Sequence, residues 1–131
     1  MKQNLYGIVL EALEHLGLDI VCENVGRRIV ASYDYADYQF RFENGAYSFY
    51  ILLSSIFHQN DENQSDVLKA VNAVNNEIDN VKAVVDGRNR VNLYYRHNVV
   101  DTDVTMDRII MQSLTEMQQA WCAFFHNIEE S

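Results

Sequence analysis

Several features that mark particular classes of protein are scarce in this sequence. It has no proline, two cysteines, and 10 basic residues against 19 acidic ones in a chain of 131 residues. The net charge of −9 argues against non-specific binding to nucleic acid, because that binding depends on neutralising phosphates. An anionic membrane surface is disfavoured for the same reason. We therefore expect no nucleic-acid partner and no membrane partner.

Long apolar runs and disulfide or zinc-site patterns are missing as well. The longest uncharged stretch, 44–60, is shorter and less apolar than the ~20 residues that a spanning helix needs. Glu11 and Glu14 would interrupt the apolar core of a signal peptide, so we expect no secretory signal. Cys22 and Cys122 lie far apart without metal-ligand spacing, which predicts reduced, partly buried thiols in a cytoplasmic protein.

The composition that remains is typical of one folded domain. The chain is 48% hydrophobic and 22% charged, and it is long enough to bury about two-thirds of its unfolded surface. We find no internal repeat and no linker. The sequence therefore predicts a single domain over 1–131.

Apolar residues at helical spacing predict three helices. The first covers 3–16 and ends at Gly17, the second is capped at Ser65, and the third begins after Thr105. We expect the third helix to be an essential part of the core, because it carries a broad apolar stripe. The stripe consists of Met106, Ile109, Ile110, Leu114, Met117, Trp121, Phe124, Phe125 and Ile128.

Alternation of apolar and polar residues predicts two groups of strands. Three strands fall within 18–57, with a tight turn at Asn44–Gly45, and a hairpin joins 81–86 to 90–97. The order α-βββ-α-ββ-α contains no alternation of single strands and helices. It predicts an α+β fold, in which helices pack on one face of a five-stranded antiparallel sheet.

Positive charge is concentrated on one predicted face of this sheet. We expect the face to bind a partner protein, because arginine and tyrosine are frequent anchors of interfaces. Its candidate residues are Arg41, Arg90, Asn92, Tyr94 and Arg96. The alternative is a solvated face with cross-strand pairing to Glu43.

Two asparagines lie on neighbouring positions of the second helix. We expect the amides of Asn72 and Asn75 to satisfy backbone groups where this helix meets strand and loop. The alternative is a polar notch that recognises a ligand or a partner subunit.

The bulky apolar content exceeds what three helices can readily shield. Eight tyrosines, six phenylalanines and one tryptophan are present. We expect part of the surplus, together with the strand 47–57, to form the interface of a twofold homodimer. The second helix would contribute Val67, Val71, Val74 and Ile78.

The sequence DTDVT (101–105) is the sharpest sign of an enzyme. It resembles the nucleophile loop of haloacid-dehalogenase-like phosphatases, in which Asp101 would attack phosphorus and Asp103 would act as acid and base. That chemistry also needs a downstream lysine, and none follows Thr105. The alternative is that these aspartates complement the positive end of the third helix. We expect no metal and no cofactor.

Four local sequences and the element order resemble the YbjN-like family of bacterial sensory transduction regulators. They are LEHLG (13–17), AVNAVNNE (70–77), VKAVVDGRNRVNLYYR (81–96) and VTMDRI (104–109). The fold of that family looks like that of type III secretion chaperones. The resemblance implies a small acidic binding or regulatory domain, dimeric and without established enzymatic chemistry. We therefore expect a non-enzymatic protein-binding domain, with a secretion chaperone and a small metal-dependent hydrolase as the alternatives.

Overall fold

The computed structural model describes residues 4–43, 48–98 and 105–129. Three helices and six strands lie in these residues. In chain order they are α1 (Leu5–His15), β1 (Asp19–Asn24), β2 (Arg28–Tyr33), β3 (Ala36–Phe42), β4 (Ser48–His58), α2 (Gln64–Glu77), β5 (Val81–Val85), β6 (Arg90–Asn98) and α3 (Met106–Glu129). The turn predicted at Asn44–Gly45 lies outside the described residues.

The strands form one antiparallel sheet in the order β1-β2-β3-β4-β6-β5. β1 and β5 are therefore its edges. The α+β class and the antiparallel sheet are confirmed, but the sequence-based order lacked β1. Five of the six residues of β1 are exposed, so this strand has no alternation of buried and exposed positions that a sequence pattern could show.

Two of the strand pairs are hairpins closed by short turns that contain residues at positive φ. β2 and β3 are joined by Asp34 and Tyr35, whose φ values of 49° and 66° make a type I′ turn. β5 and β6 are joined by the predicted Gly87–Asn89 loop. There the Asn89 amide donates to the carbonyl of Asp86 (3.0 Å), and Asn89 itself takes a φ of 61°. This is a type I turn followed by a left-handed residue, a common three-residue hairpin loop.

The chain divides into two compact units. The first comprises Met1–Leu52 and Arg96–Ser113, and the second comprises Leu53–Tyr95 and Leu114–Ser131. β4, β6 and α3 each contribute residues to both units.

In the first unit, α1 buries one face and its ends are fixed by local contacts. Asn4 caps the helix, because its Oδ1 accepts a hydrogen bond from the Gly7 amide at 2.7 Å. The helix ends at His15, and Gly17 follows the C-cap Leu16 with a φ of 78°, which favours glycine. The core of this unit includes the fully buried Val9, Leu13, Ile29, Phe40 and Ile51.

In the second unit, α2 packs against β5. Its apolar face is buried, with Val67, Ala70, Val71 and Val74 all inaccessible or nearly so. The helix begins at Gln64, one residue before the predicted cap at Ser65. Phe124 of α3 is also fully buried in this unit and contacts Phe57, with ring centroids 5.7 Å apart.

Candidate functional site

The residues predicted to form a partner-binding face are divided between the two compact units. Arg41 and Arg96 belong to the first unit, whereas Arg90, Asn92 and Tyr94 belong to the second. Each group has its own local environment.

Arg96 forms an ion pair with Glu43, as the solvated-face interpretation expects. Arg96 Nη2 lies 2.9 Å from Glu43 Oε1, and both side chains are substantially exposed. An exposed pair of this kind contributes little to stability, because water and salt screen it. Arg96 therefore remains a surface residue whose charge is largely balanced.

Asn92 is not part of an exposed face, contrary to the prediction. Only 4% of its surface is accessible. Its Oδ1 accepts a hydrogen bond from the Ser55 amide (2.8 Å), and its Nδ2 donates to Asp86 Oδ2 (3.1 Å). Ser55 has a φ of 57°, and the Asn92 side chain satisfies the backbone N–H at that irregular position of β4. The polar character of Asn92 serves the sheet itself.

Arg90 is bound to the same carboxylate as Asn92. Asp86 Oδ2 accepts from Arg90 Nε (2.9 Å), and Asp86 Oδ1 accepts from the backbone amides of Arg88 (2.8 Å) and Arg90 (3.1 Å). Desolvation raises the pKa of Asp86, but these hydrogen bonds together with that from Asn92 outweigh it and hold the pKa well below its ordinary value. Asp86 thus fixes the β5–β6 turn, and Arg90 belongs to that structural network.

The side chain of Asn75 binds the backbone of β5, which is an edge strand of the sheet. Its Nδ2 donates to the Ala83 carbonyl (3.1 Å), and its Oδ1 accepts from the Ala83 amide (2.7 Å). Ala83 pairs with Leu93 of β6. The N–H and C=O of Ala83 that bind Asn75 point away from β6, toward the open edge of the sheet. The amide therefore occupies the hydrogen-bonding groups that edge strand β5 would otherwise present at this position. Asn72, by contrast, is exposed.

The valines predicted to form a dimer interface are unavailable for one. Val67 and Val74 are fully buried, Val71 is 8% exposed, and Ile78 is only partly exposed. Their apolar face is already covered within the second unit, where α2 packs against β5. The exposed apolar residue of α2 is Leu68.

Trp121 is exposed, although the sequence predicted it in the core. It retains 46% of its accessible surface, whereas its neighbour Ala120 and Phe124 one turn later are fully buried. Trp121 lies at the border of the buried stripe of α3, where its ring packs edge-on against Phe125 at 4.9 Å. A hollow of about 740 Å³ is lined there by Trp121, Cys122, Ala123, Phe125 and His126.

A second cavity, of about 690 Å³, lies in the first unit beside the β1–β2 turn. Three arginines line it, and sequence reasoning assigned only one of them to a site. The full lining is Asn24, Val25, Gly26, Arg27, Arg28, Arg41, Phe42 and Tyr50. The signal that was missed is the pair Arg27–Arg28 directly after a glycine turn, since basic residues are rare in this chain.

The remaining predicted features concern thiols, metal ligands, the aspartates near the third helix and membrane spans. Cys22 and Cys122 are free, and both are exposed, not partly buried as predicted. Over 4–43, 48–98 and 105–129, no group of three or more His, Cys, Asp or Glu side chains is placed to hold a metal ion. Asp101 and Asp103 lie outside the described residues. Within the described residues, no helix is long and apolar enough to cross a membrane.

Comparison with known proteins shows the family of the chain. Among curated proteins, none matches this sequence. The fold is similar to that of the crystal structure of YbjN, "a putative transcription regulator from E. coli", with a TM-score of 0.64 at 13% identity over 90% of this chain and 87% of that one. It is also similar to an uncharacterised protein from Methanothermobacter thermautotrophicus, with a TM-score of 0.66 at 12% identity over 95% of this chain and 96% of that one. Residues 7–130 match the YbjN family, described as "Putative bacterial sensory transduction regulator". The chain therefore belongs to the YbjN family.

Proposed function

We propose that this protein is a non-enzymatic, cytoplasmic regulatory domain that acts by protein–protein contact through the hollow around Trp121. The observation that carries the proposal is the exposed side chain of Trp121, packed edge-on against the half-buried ring of Phe125, on a helix whose other face is buried. Membership of a family described as regulatory supports the same role. The two free, exposed thiols are compatible with a reducing compartment.

The hollow has the chemical character of an interface core. The side chains that line it are apolar or weakly polar, and His126 is the one titratable base among them. Tryptophan is among the residues most often found at the centre of interfaces, because its ring buries a large apolar area with little loss of conformational entropy. Covering the exposed part of Trp121 would contribute roughly 2–3 kcal/mol to binding.

The sheet edge at β5 is a less suitable docking site. Strand addition needs free backbone N–H and C=O groups, and those of Ala83 are taken by Asn75. A partner surface or an amphipathic segment that packs on α3 needs no such groups. We therefore place the contact on α3 and not on β5.

The first partner to test is a second copy of the chain. The homodimer expected from the sequence cannot use the buried valines of α2, so in this proposal it uses the Trp121 hollow. The net charge of −9 opposes self-association, and an uncharged contact centre reduces that repulsion.

Light scattering of the purified protein tests this arrangement. The expected mass is twice 15.2 kDa at micromolar concentration, falling to the monomer mass in Trp121→Ala. Leu68→Ala is the matched control, because Leu68 is an exposed apolar residue on another helix, and this variant should stay dimeric. A dimer that persists in Trp121→Ala would show that the hollow is not the contact surface. A monomer at all concentrations would exclude the second copy as partner.

A further inference from the structure

The arginine-lined cavity of the first unit has no role in the proposed protein contact. Three of the ten basic residues of the chain, Arg27, Arg28 and Arg41, converge on it. The described residues that line it include no carboxylate. This gives a concentrated positive site in a protein whose overall charge is −9.

The register of the sheet places two of these charges side by side. Arg28 of β2 lies directly opposite Arg41 of β3. Like charges at directly opposed positions of an antiparallel pair are destabilising. Within the described residues, no carboxylate forms an ion pair with Arg27, Arg28 or Arg41. Among the described residues, the arrangement therefore lacks the anion that would normally balance it.

The guanidinium groups are held in place by neutral partners. Arg41 donates from Nε (3.2 Å) and Nη2 (2.9 Å) to Gln39 Oε1, which orients its planar group without neutralising it. Arg28 Nη2 lies 4.0 Å from Cys22 Sγ, and Arg28 Nε is buried with no hydrogen-bond partner among the described residues. A desolvated, unpaired donor on a cation is costly unless an anion compensates it nearby.

The turn that forms one wall of the cavity is rigidly built. The Arg27 amide donates to the Asn24 carbonyl (2.9 Å), and the Arg27 carbonyl accepts from the Phe42 amide (2.9 Å). Gly26 has a φ of 81°, the value that the third position of a type II turn requires. Arg27 and Arg28 are therefore carried on backbone anchored to both neighbouring strands.

We propose that this cavity binds a small phosphorylated molecule, with Arg27, Arg28 and Arg41 around its phosphate oxygens. Guanidinium groups match phosphate in geometry, and a phosphate monoester carries close to two negative charges at neutral pH, which suits a site with three cations. The cavity volume of about 690 Å³ lies in the range of small-ligand sites. The exposed Val25 and the ring of Phe42 form an apolar part of the wall that can contact the organic part of the ligand.

Thermal denaturation and calorimetry with pyrophosphate, at constant ionic strength, test the proposal on the intact chain. We expect pyrophosphate to raise the melting temperature saturably, because a ligand that binds the folded state alone stabilises it. Citrate serves as the carboxylate probe, and we expect it to bind more weakly. Arg41→Gln and Arg28→Gln should each weaken pyrophosphate binding roughly 10- to 100-fold. Arg88→Gln is the matched control, since it removes the same charge from the exposed β5–β6 turn.

A second readout separates a binding role from a structural one. Without ligand, Arg28→Gln and Arg41→Gln should melt at or above the temperature of the parent, because they relieve the opposed charges. The proposal would be overturned if chloride and pyrophosphate raised the melting temperature equally, or if Arg88→Gln weakened pyrophosphate binding as much as Arg28→Gln and Arg41→Gln do. Tighter binding of citrate, or binding of an acidic phosphopeptide without binding of pyrophosphate, would also overturn it. Variants that melt well below the parent would show that the arginines support the fold.

Discussion

Replacing Asn75 with alanine should destabilise the protein by opening the β5 edge. The substitution removes two hydrogen bonds and leaves the amide and carbonyl of Ala83 without their partner. Each neutral hydrogen bond contributes about 0.5–1.5 kcal/mol net, so the free energy of unfolding should fall by ~1–3 kcal/mol. Urea unfolding followed by circular dichroism measures the change, provided that the slope of the transition stays the same.

Asn72→Ala is the control for this prediction. Asn72 lies on the same helix but is exposed, so its substitution should not lower the free energy of unfolding, and any gain should be no more than ~0.7 kcal/mol. Both variants gain helix propensity of up to ~0.7 kcal/mol, and the difference between them therefore reports mainly the contacts with Ala83. Equal stability of the two variants would refute the claim that Asn75 holds the strand edge.

Three further predictions follow from burial and titration. Phe124→Ala should lower the free energy of unfolding in urea by ~3–5 kcal/mol, because the side chain is fully buried, whereas Trp121→Ala should lower it far less. Equal losses in the two variants would contradict the placement of Trp121 at the border of the core. The hydrogen bond and the charge of Asp107 raise the pKa of His15 above 6.5, so this pair stabilises the fold below pH 6.5 and the contribution is lost as the pH rises through the raised pKa. Proton NMR titration should find the pKa of His15 lowered in Asp107→Asn, and an unchanged value would exclude the pair. Burial raises the pKa of Tyr38 to about 12, so its phenol should ionise at a higher pH than that of an exposed tyrosine in an ultraviolet titration. Because the unfolded chain ionises first, the contribution of Tyr38 to stability should be lost as the pH rises above about 10. Ionisation of Tyr38 near pH 10 would contradict its burial.

The sequence predicted those parts of the fold in which one face of an element is consistently apolar. The periods of α1 and α2 and the alternation in β3 and β6 correspond to buried faces in the structure. β1 was missed because an exposed edge strand has no buried face. The type I′ turn at Asp34–Tyr35 was missed because it has no glycine, and a tyrosine at positive φ leaves no signal in the sequence.

The candidate sites were harder to predict, because polarity alone does not give exposure. Asn92 sits in the polar phase of β6, yet it is buried and bonded to Ser55, which is 37 residues away in the chain, and to Asp86 across the β5–β6 turn. The apolar spacing of α2 predicts a dimer interface for its valines, because the sequence does not show that α2 packs against β5. Trp121 is one position from the buried Ala120, and the spacing of apolar residues in the sequence does not distinguish the border of a buried helix face from its centre.

Site-directed photo-crosslinking at position 121 tests most directly whether the Trp121 hollow is a protein contact. A benzophenone amino acid replaces Trp121 in one variant and Leu68 in another, and each is irradiated in the cells that naturally make the protein. We predict that position 121 yields a discrete covalent adduct, either with a second copy of the chain or with one other protein, and that position 68 does not. No adduct at position 121, or the same adducts at both positions, would contradict the account.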